Sequence, residues 1–328
     1  MNTNTTPTPA VSGRIVSGMR PTGALHLGHY HGVLTSWLRL QSTNECFFFV
    51  ADWHAMTDAD TPLRDEAISE MVLDWLAAGI DPAKATLFIQ SRMPEHAELF
   101  TLLALHTPLA WLERVPGFKD EANPSFGRLG YPLLQAADIL IYKGVAVPVG
   151  QDQAAHLELA REVARRMNSR LGSDVFPEPQ LLLTEAPRLT GLDGRKMSKS
   201  LGNTLAMREA PESTRSKLMA MPTDPARVRR EDPGNPANCP VWPLHEVTTP
   251  APERAQLSAG CQSAGIGCVD CKQALLAHLL PQQAVWRERA AAFEPKQVHW
   301  MVEVGTERAR ALARKTLKEV REGLGLHA

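Results

Sequence analysis

The 328-residue chain contains no Gly-x-x-x-x-Gly-Lys-Ser/Thr phosphate loop and no Gly-x-Gly-x-x-Gly fingerprint. It therefore fits neither a P-loop enzyme nor a dinucleotide dehydrogenase, and any nucleotide must be held another way. It also lacks an apolar run of about eighteen residues, which excludes a membrane-spanning helix. The stretch from Met1 to Ala10 is rich in Thr and Pro and has none of the cationic, apolar or cleavable parts of a leader. A cytoplasmic location is expected, with a disordered tail over residues 1–12 that has almost nothing to bury. Charge of either sign is not in excess: 36 acidic against 35 basic residues leave a net charge of −1. Contact with nucleic acid would then depend on local basic stretches such as Arg161 to Arg170 and Arg227-Val228-Arg229-Arg230, each of which reads equally well as a solvated helix face. There is no internal repeat.

The length suits two modest domains better than one. From residue 13, short apolar runs alternate with longer amphipathic ones: Ile15-Val16, Val33 to Leu40, Phe47-Phe48-Phe49-Val50, Pro62 to Ala78, then Thr86-Leu87-Phe88-Ile89. This βαβαβ rhythm predicts an α/β, doubly wound parallel sheet of Rossmann-like form over residues 13–200, with ligands at the strand ends. Pro62 would open the helix that Gly79 ends. A further strand, Val145 to Val149, and a helix from Asp152 toward Leu171 are expected to complete this half. Strand-like runs then disappear, so residues 201–328 are read as a helical second domain. Its last helix, after Thr306, carries a packing stripe of Ala309, Leu312, Ala313, Leu317 and Val320.

Two segments carry chemistry. Residues 21–29 read Pro-Thr-Gly-Ala-Leu-His-Leu-Gly-His at a strand-to-helix turn, where free amide groups favour an anion. His26 and His29 are three apart on the first helical turn, so both imidazoles can donate to phosphate oxygens, and Gly28 keeps the surface between them open. Far downstream, residues 196–200 read Lys-Met-Ser-Lys-Ser. Lys196 and Lys199 are mobile cations that can follow charge onto a leaving pyrophosphate. Singly, each segment reads as a capping pair or a basic turn; jointly and in this order they point to ATP activation. Asp138 stands in the apolar run Gln135-Ala136-Ala137-Asp138-Ile139-Leu140, where a carboxylate is costly unless something binds it; the plainer reading is a capped or salt-bridged structural acid.

Of five cysteines, four fall in the second half: Cys239, Cys261, Cys268 and Cys271, the last two as Cys-x-x-Cys. In a cytoplasmic chain they suggest a metal rather than disulfides. Zinc and an iron–sulfur cluster both accept four sulfurs, and spacing does not decide between them. Cys46, beside three phenylalanines, reads as a core thiol.

The two signatures resemble those of class I aminoacyl-tRNA synthetases. Ser17 to Gly23, Ala51-Asp52-Trp53-His54-Ala55-Met56-Thr57, Tyr131 to Leu140 and Val147-Pro148-Val149-Gly150-Gln151-Asp152-Gln153 resemble the tryptophanyl-tRNA synthetase family in particular, and the likeness runs from about residue 13 to the C-terminus. The resemblance implies ATP with Mg²⁺, L-tryptophan and tRNA(Trp) as partners. It also implies an anticodon-binding second domain whose last helix packs back on the catalytic domain, and a homodimer with part of its contact in an insertion near residues 94–131. It places the indole-binding acid at Asp138, with Val16, His54, Val147 and Val149 lining the ring and Tyr131 and Gln153 on the ammonium and carboxylate. Around ATP it places Arg20, Thr22, Gly28, His29, Gly150, Asp152, Leu189 and the loop Lys196, Met197, Ser198, Lys199, Ser200; Arg20 departs from the glutamine of many relatives. A subset of the family with similar cysteine spacing binds a 4Fe-4S cluster, which the resemblance carries to the four cysteines here. Two alternatives remain, a tyrosyl-tRNA synthetase and a non-catalytic tRNA-binding paralogue; Val16 in the first strand and the intact signatures argue against them.

Overall fold

The computed structural model describes residues 12–57, 65–116, 124–183 and 188–326. Five strands, β1 (Arg14–Met19), β2 (Glu45–Val50), β3 (Ala85–Ile89), β4 (Ala146–Val149) and β5 (Gln180–Leu183), form one parallel sheet in the order β3-β2-β1-β4-β5. The chain builds outward from β1 through β2 to β3, then returns to the other side of β1 for β4 and β5. That reversal opens a crevice at the carboxyl ends of β1 and β4, the place where doubly wound sheets bind ligands. The α/β parallel sheet matches expectation. β5, in the run Leu181-Leu182-Leu183, was not expected from the sequence: three leucines suit a helix as well as a strand, whereas β4 carries β-branched valines.

The helices before residue 200 are α1 (Leu27–His29), α2 (Thr35–Leu40), α3 (Asp52–Ala55), α4 (Asp65–Ala78), α5 (Pro94–Ala104), α6 (Leu109–Glu113), α7 (Phe126–Leu140) and α8 (Ala154–Leu171). After it come α9 (Pro211–Ala220), α10 (Trp242–Thr248), α11 (Ala251–Gln262), α12 (Cys268–Ala291) and α13 (Pro295–Gly323). Among the described residues no strand follows Leu183, and no helix is long and apolar enough to cross a membrane. The cap expected at Pro62 lies outside the described residues, as does the tail before Ser12. At the other end of α4 the reading holds: Gly79 adopts φ +112°, and Gly79 and Ile80 both donate their N–H to the Trp75 carbonyl. The run expected as one helix over Val33 to Leu40 is instead a wider π-helical turn, Tyr30–Leu34, followed by α2.

Buried strands alternate their side chains between two apolar layers. Ile15, Phe48 and Leu87 point to one face, where α4 and α12 pack; Val16, Phe47, Phe49 and Phe88 point to the other, against α5, α7 and α8. Cys46 lies in the first layer, 1% exposed. The core does not divide at residue 201, because Leu205, Leu276, Trp286 and Val302 share the first layer with Ile15 and Phe48.

Helix α13 joins the two layers. Val298 and Val302 belong to the first, whereas Ala309, Ala313, Leu317 and Val320 belong to the second. The helix therefore passes around the edge strand β3, covering backbone that would otherwise lie open to pairing. It starts at Pro295, earlier than the expected start after Thr306. Gly305 stands at the crossing, where a Cβ would fall onto the Leu87 carbonyl oxygen. Ion pairs from Arg314 to Glu95 and Arg321 to Glu98 hold the helix to α5. Gly305→Ala is expected to cost about 2 kcal/mol by overpacking, outweighing the ~1 kcal/mol that alanine gains over glycine inside a helix. Urea unfolding would show this as a lowered midpoint with an unchanged slope.

Candidate active site

A cavity of about 510 Å³ opens at the β1–β4 crevice. From β1 and the turn after it come Val16, Ser17, Gly18, Arg20 and Thr22; from β4 and its sequel, Val147, Val149 and Gln153; from α1, His29; from α3, His54; from α7, Arg128, Tyr131, Gln135 and Asp138. Ten residues expected at the site thus meet in one space: Val16, Arg20, Thr22, His29, His54, Tyr131, Asp138, Val147, Val149 and Gln153. Gly18 is required by packing, since a Cβ there would stand 2.5 Å from the Phe49 ring.

The histidine turn is built around its own backbone. Gly28 N–H donates to His26 Nδ1 at 3.1 Å, and His26 N–H donates to His29 Nδ1 at 3.3 Å. Both Nδ1 atoms are acceptors, so in each neutral ring the proton sits on Nε2, leaving two N–H donors on rings 3.9 Å apart. Burial, helped by the Lys199 charge, lowers the His26 pKa to about 4; burial, then His26 and Lys199, lowers that of His29 to about 3. A Cβ at position 28 would press on the His26 ring, at 2.8 Å from Cε1.

The lysine loop docks on this turn. Lys199 Nζ donates to Thr22 O at 2.7 Å, Thr22 Oγ1 at 3.0 Å and Gly23 O at 3.0 Å. Three neutral acceptors replace little of the water that burial removes, and the Lys199 pKa falls to about 8 despite the attraction of Asp74. The chain after the loop pairs with the turn itself: Leu27 N–H donates to Leu205 O at 3.0 Å and Met207 N–H to Leu25 O at 2.8 Å. Asp74 of α4, 1% exposed, clamps both sides, accepting from Leu25 N–H at 2.5 Å and Arg208 Nε at 2.5 Å. Inside the loop, Asn203 donates to Asp193 Oδ1 and Lys196 O and accepts from Ser198 N–H, fixing its curl.

Not every expected residue faces the cavity. Leu189 and Met197 are 3% and 5% exposed in the first apolar layer and offer a ligand only backbone groups. Lys196, Ser200 and Asp152 are exposed, and Asp152 accepts from Gln153 Nε2 at 3.0 Å; Ser198 pairs with Ser200 at 2.9 Å, and Gly150 begins the turn before Asp152. The basic stretches are largely engaged. Arg161 and Arg165 pair with Glu158, and Arg227 and Arg230 donate to backbone carbonyls near residues 264–266.

Asp138 is fully buried, lines the cavity and is heavily bonded, as the structural reading expected. Oδ2 contacts His54 Nε2 at 2.7 Å, Oδ1 contacts His96 Nδ1 at 2.7 Å, and Gln90 Nε2 reaches both oxygens. Burial pushes the carboxyl up, but the hydrogen bonds and charges of His54 and His96 outweigh it and hold it below its ordinary value. Behind His96, Tyr142 stands with its hydroxyl 2.5 Å from Nε2; burial and the Asp138 charge keep that phenol protonated. Gln90, His96, Asp74 and Asn203 were missed. Asp74 carried the same signal as Asp138, an acid inside the apolar run Met71 to Leu76.

Cys239, Cys261, Cys268 and Cys271 form no disulfide and are half-buried. Burial, followed by the charges of Cys239, Cys261 and Cys268, raises the Cys271 thiol to about 12, so the four lie within electrostatic range. Cys271 Sγ also lies 3.3 Å from His245 Nε2. Among the described residues, no three His, Cys, Asp or Glu side chains are arranged to hold a single metal ion.

A parallel sheet with a cavity at its switch point, an imidazole-bearing turn and a lysine loop docked on it are consistent with a class I aminoacyl-tRNA synthetase. A family model described as tRNA synthetases class I (W and Y) matches residues 10–279, and the chain belongs to that family. Among similar proteins, the tryptophan–tRNA ligase of Thermotoga maritima is 48% identical, with 95% of this chain and 99% of the relative covered; that of Ralstonia nicotianae is 46% identical, with 95% and 98% covered. The solved tryptophanyl-tRNA synthetase of Campylobacter jejuni, complexed with ADP and tryptophan, superposes with a TM-score of 0.84 at 29% identity, covering 95% of this chain and 100% of that one.

The depressed histidine values set a pH dependence. Unfolded imidazoles bind protons from about 6.5 downward, whereas folded His26 and His29 resist until about 4 and about 3. Their contribution is complete above pH 6.5 and is lost as pH falls to about 4 for His26 and about 3 for His29. Denaturant titrations across that window should show wild type losing stability faster than the His26→Asn/His29→Asn double variant.

Proposed function

We infer that this chain activates L-tryptophan with ATP, giving tryptophanyl-adenylate and pyrophosphate, and then transfers the amino acid to tRNA(Trp). Membership of the family and identity above 40% over nearly the full length of tryptophan–tRNA ligases support this reading. The observation that carries its chemistry is the Lys199 ammonium seated on the turn that bears His26 and His29.

The amino acid's carboxylate is ionised at neutral pH and attacks the α-phosphorus directly; the bond from that phosphorus to the pyrophosphate oxygen breaks. No protein nucleophile or general base is needed, so rate comes from positioning and charge stabilisation. His26 and His29 present neutral Nε2–H donors to phosphate oxygens. Lys196 and Lys199 follow the charge onto pyrophosphate. Magnesium would travel on the triphosphate and neutralise part of its charge; among the described residues lining the cavity the one carboxylate, Asp138, is already engaged. Arg20, Thr22, Gly28, Gly150 and Asp152, with backbone of Leu189 and the lysine loop, surround the nucleotide. Asp138 accepts the indole N–H, Val16, His54, Val147 and Val149 wall the ring, and Tyr131 and Gln153 hold the ammonium and carboxylate. A terminal ribose hydroxyl of tRNA, the 2′ position in class I enzymes, then attacks the acyl carbon of the adenylate; the mixed-anhydride bond breaks and AMP leaves.

The second half is read as the anticodon-binding domain. Its four cysteines could supply the four thiolates of zinc or of a 4Fe-4S cluster, and their resemblance to the cysteine spacing of cluster-bearing relatives favours the cluster. Bound there, it would cross-link the segment at Cys239, α11 and α12 as a structural clamp. The homodimer fits the segment from α5 to α7, where Leu105, Leu109 and Phe126 are exposed.

Tryptophan should support ATP–pyrophosphate exchange and tyrosine should not. Replacing both Lys196 and Lys199 by Ala should lower kcat by on the order of 10²-fold or more with a small change in tryptophan KM; exchange at near wild-type rate would refute the role of the loop. Anaerobically purified protein should be brown and contain iron and acid-labile sulfide, and Cys268→Ser/Cys271→Ser should bleach it. Colourless anaerobic protein carrying zinc would overturn the cluster.

A further inference from the structure

Asp138 has no acceptor position to spare. A carboxylate offers about four lone-pair positions. Gln90 Nε2 at 2.9 Å and His96 Nδ1 at 2.7 Å take those of Oδ1; Gln90 Nε2 at 2.8 Å and His54 Nε2 at 2.7 Å take those of Oδ2. Two of the three donors are locked. Gln90 and His96 are fully buried, the Gln90 amide is fixed because its Oε1 accepts Trp53 N–H at 3.1 Å, and the His96 ring is fixed by Tyr142. His54 differs. Its side chain keeps 12% exposure and lines the cavity beside Asp138. Of the three donors to the carboxylate it is the one that lines the cavity.

We propose that the indole N–H of tryptophan replaces His54 Nε2–H on Asp138 Oδ2, which makes His54 a specificity-determining donor that the correct substrate displaces. The proposal rests on Asp138 being the indole acceptor. One N–H donor leaves the carboxylate as another arrives, so no buried lone pair is bared and no covalent bond changes. An aromatic side chain without a ring N–H cannot complete the exchange: it either meets His54 in place or leaves the acceptor bare. The sign of one substitution follows. Without the His54 donor, tryptophan meets an open position and no competitor, whereas a ligand lacking N–H leaves that position unpaired. Discrimination therefore rises on losing His54. A residue that only walled the ring would weaken both ligands together.

The probe is β-(benzothiophen-3-yl)alanine, which carries sulfur where indole carries N–H. In ATP–pyrophosphate exchange, the kcat/KM ratio of tryptophan over this probe should rise about tenfold in His54→Phe; an unchanged or smaller ratio overturns the exchange. The wild-type protein gives an independent readout after ¹⁵N labelling of its histidine rings. The hydrogen-bonded Nε2–H resonance of His54 should disappear from its position when tryptophan is added and persist when the probe is added. Persistence at saturating tryptophan overturns the proposal even if the variant does not fold. Asp138→Ala, which removes the acceptor altogether, separates the two layers: a ratio equal to wild type there means that Asp138 is not the indole acceptor at all.

Discussion

The contact on which the catalytic geometry depends is the short pairing of Leu25–Leu27 with Leu205–Met207, clamped by Asp74. Two segments far apart in the chain, one carrying neutral imidazoles and the other ammonium groups, offer each other no opposite charge. Backbone hydrogen bonds between the two segments, with the Asp74 carboxylate taking Leu25 N–H on one side and Arg208 on the other, hold them together. Burial also depresses the histidine and Lys199 pKa values, which reduces the repulsion inside the site. Gln283 of α12 extends the clamp by donating to Ala206 O, so a helix that begins at Cys268 and Cys271 also supports the turn bearing His26.

A second constraint is the buried charge of Asp138. Taking a carboxylate out of water is expensive, and here Gln90, His54 and His96 compensate it so fully that it stays ionised. Such an acid can select for a ligand N–H only by trading one donor for another. On the proposed exchange, selectivity in this cavity would be a competition between His54 and the substrate, set by the difference of two similar hydrogen bonds. A bare acceptor waiting for a ligand would cost the unliganded fold far more.

Much of this was legible in the sequence because the signals were local. The strands β1 to β4 announced themselves as short apolar runs, Gly79 as a helix stop, and the two signatures as spacings of three within one turn or loop. β5 was not legible, since its run of three leucines, unlike the valines of β4, suits a helix as well as a strand. The π-helical turn at Tyr30–Leu34 was hidden because its apolar pattern is also that of an ordinary helix. Gln90, His96 and Asn203 were missed for a different reason. A polar residue's partner is decided by what the fold places opposite it, and nothing in the neighbouring sequence states that Gln90 N–H₂ will meet Asp138 or that Asn203 will clasp the loop at Lys196.

By itself the sequence determined the parallel sheet, the nature of the two signature segments and the type of chemistry they suit, because those follow from periodicity and from which side chains can carry or accept charge. Tertiary structure alone decided that α13 rounds the edge of β3 at Gly305, leaving one core shared across residue 201, and that Lys199 rests on Thr22 and Gly23. It also decided which of the polar residues around Asp138 are locked and which one faces the cavity. Those outcomes depend on distances between segments remote in the chain, and such distances are set by packing, which no local pattern encodes.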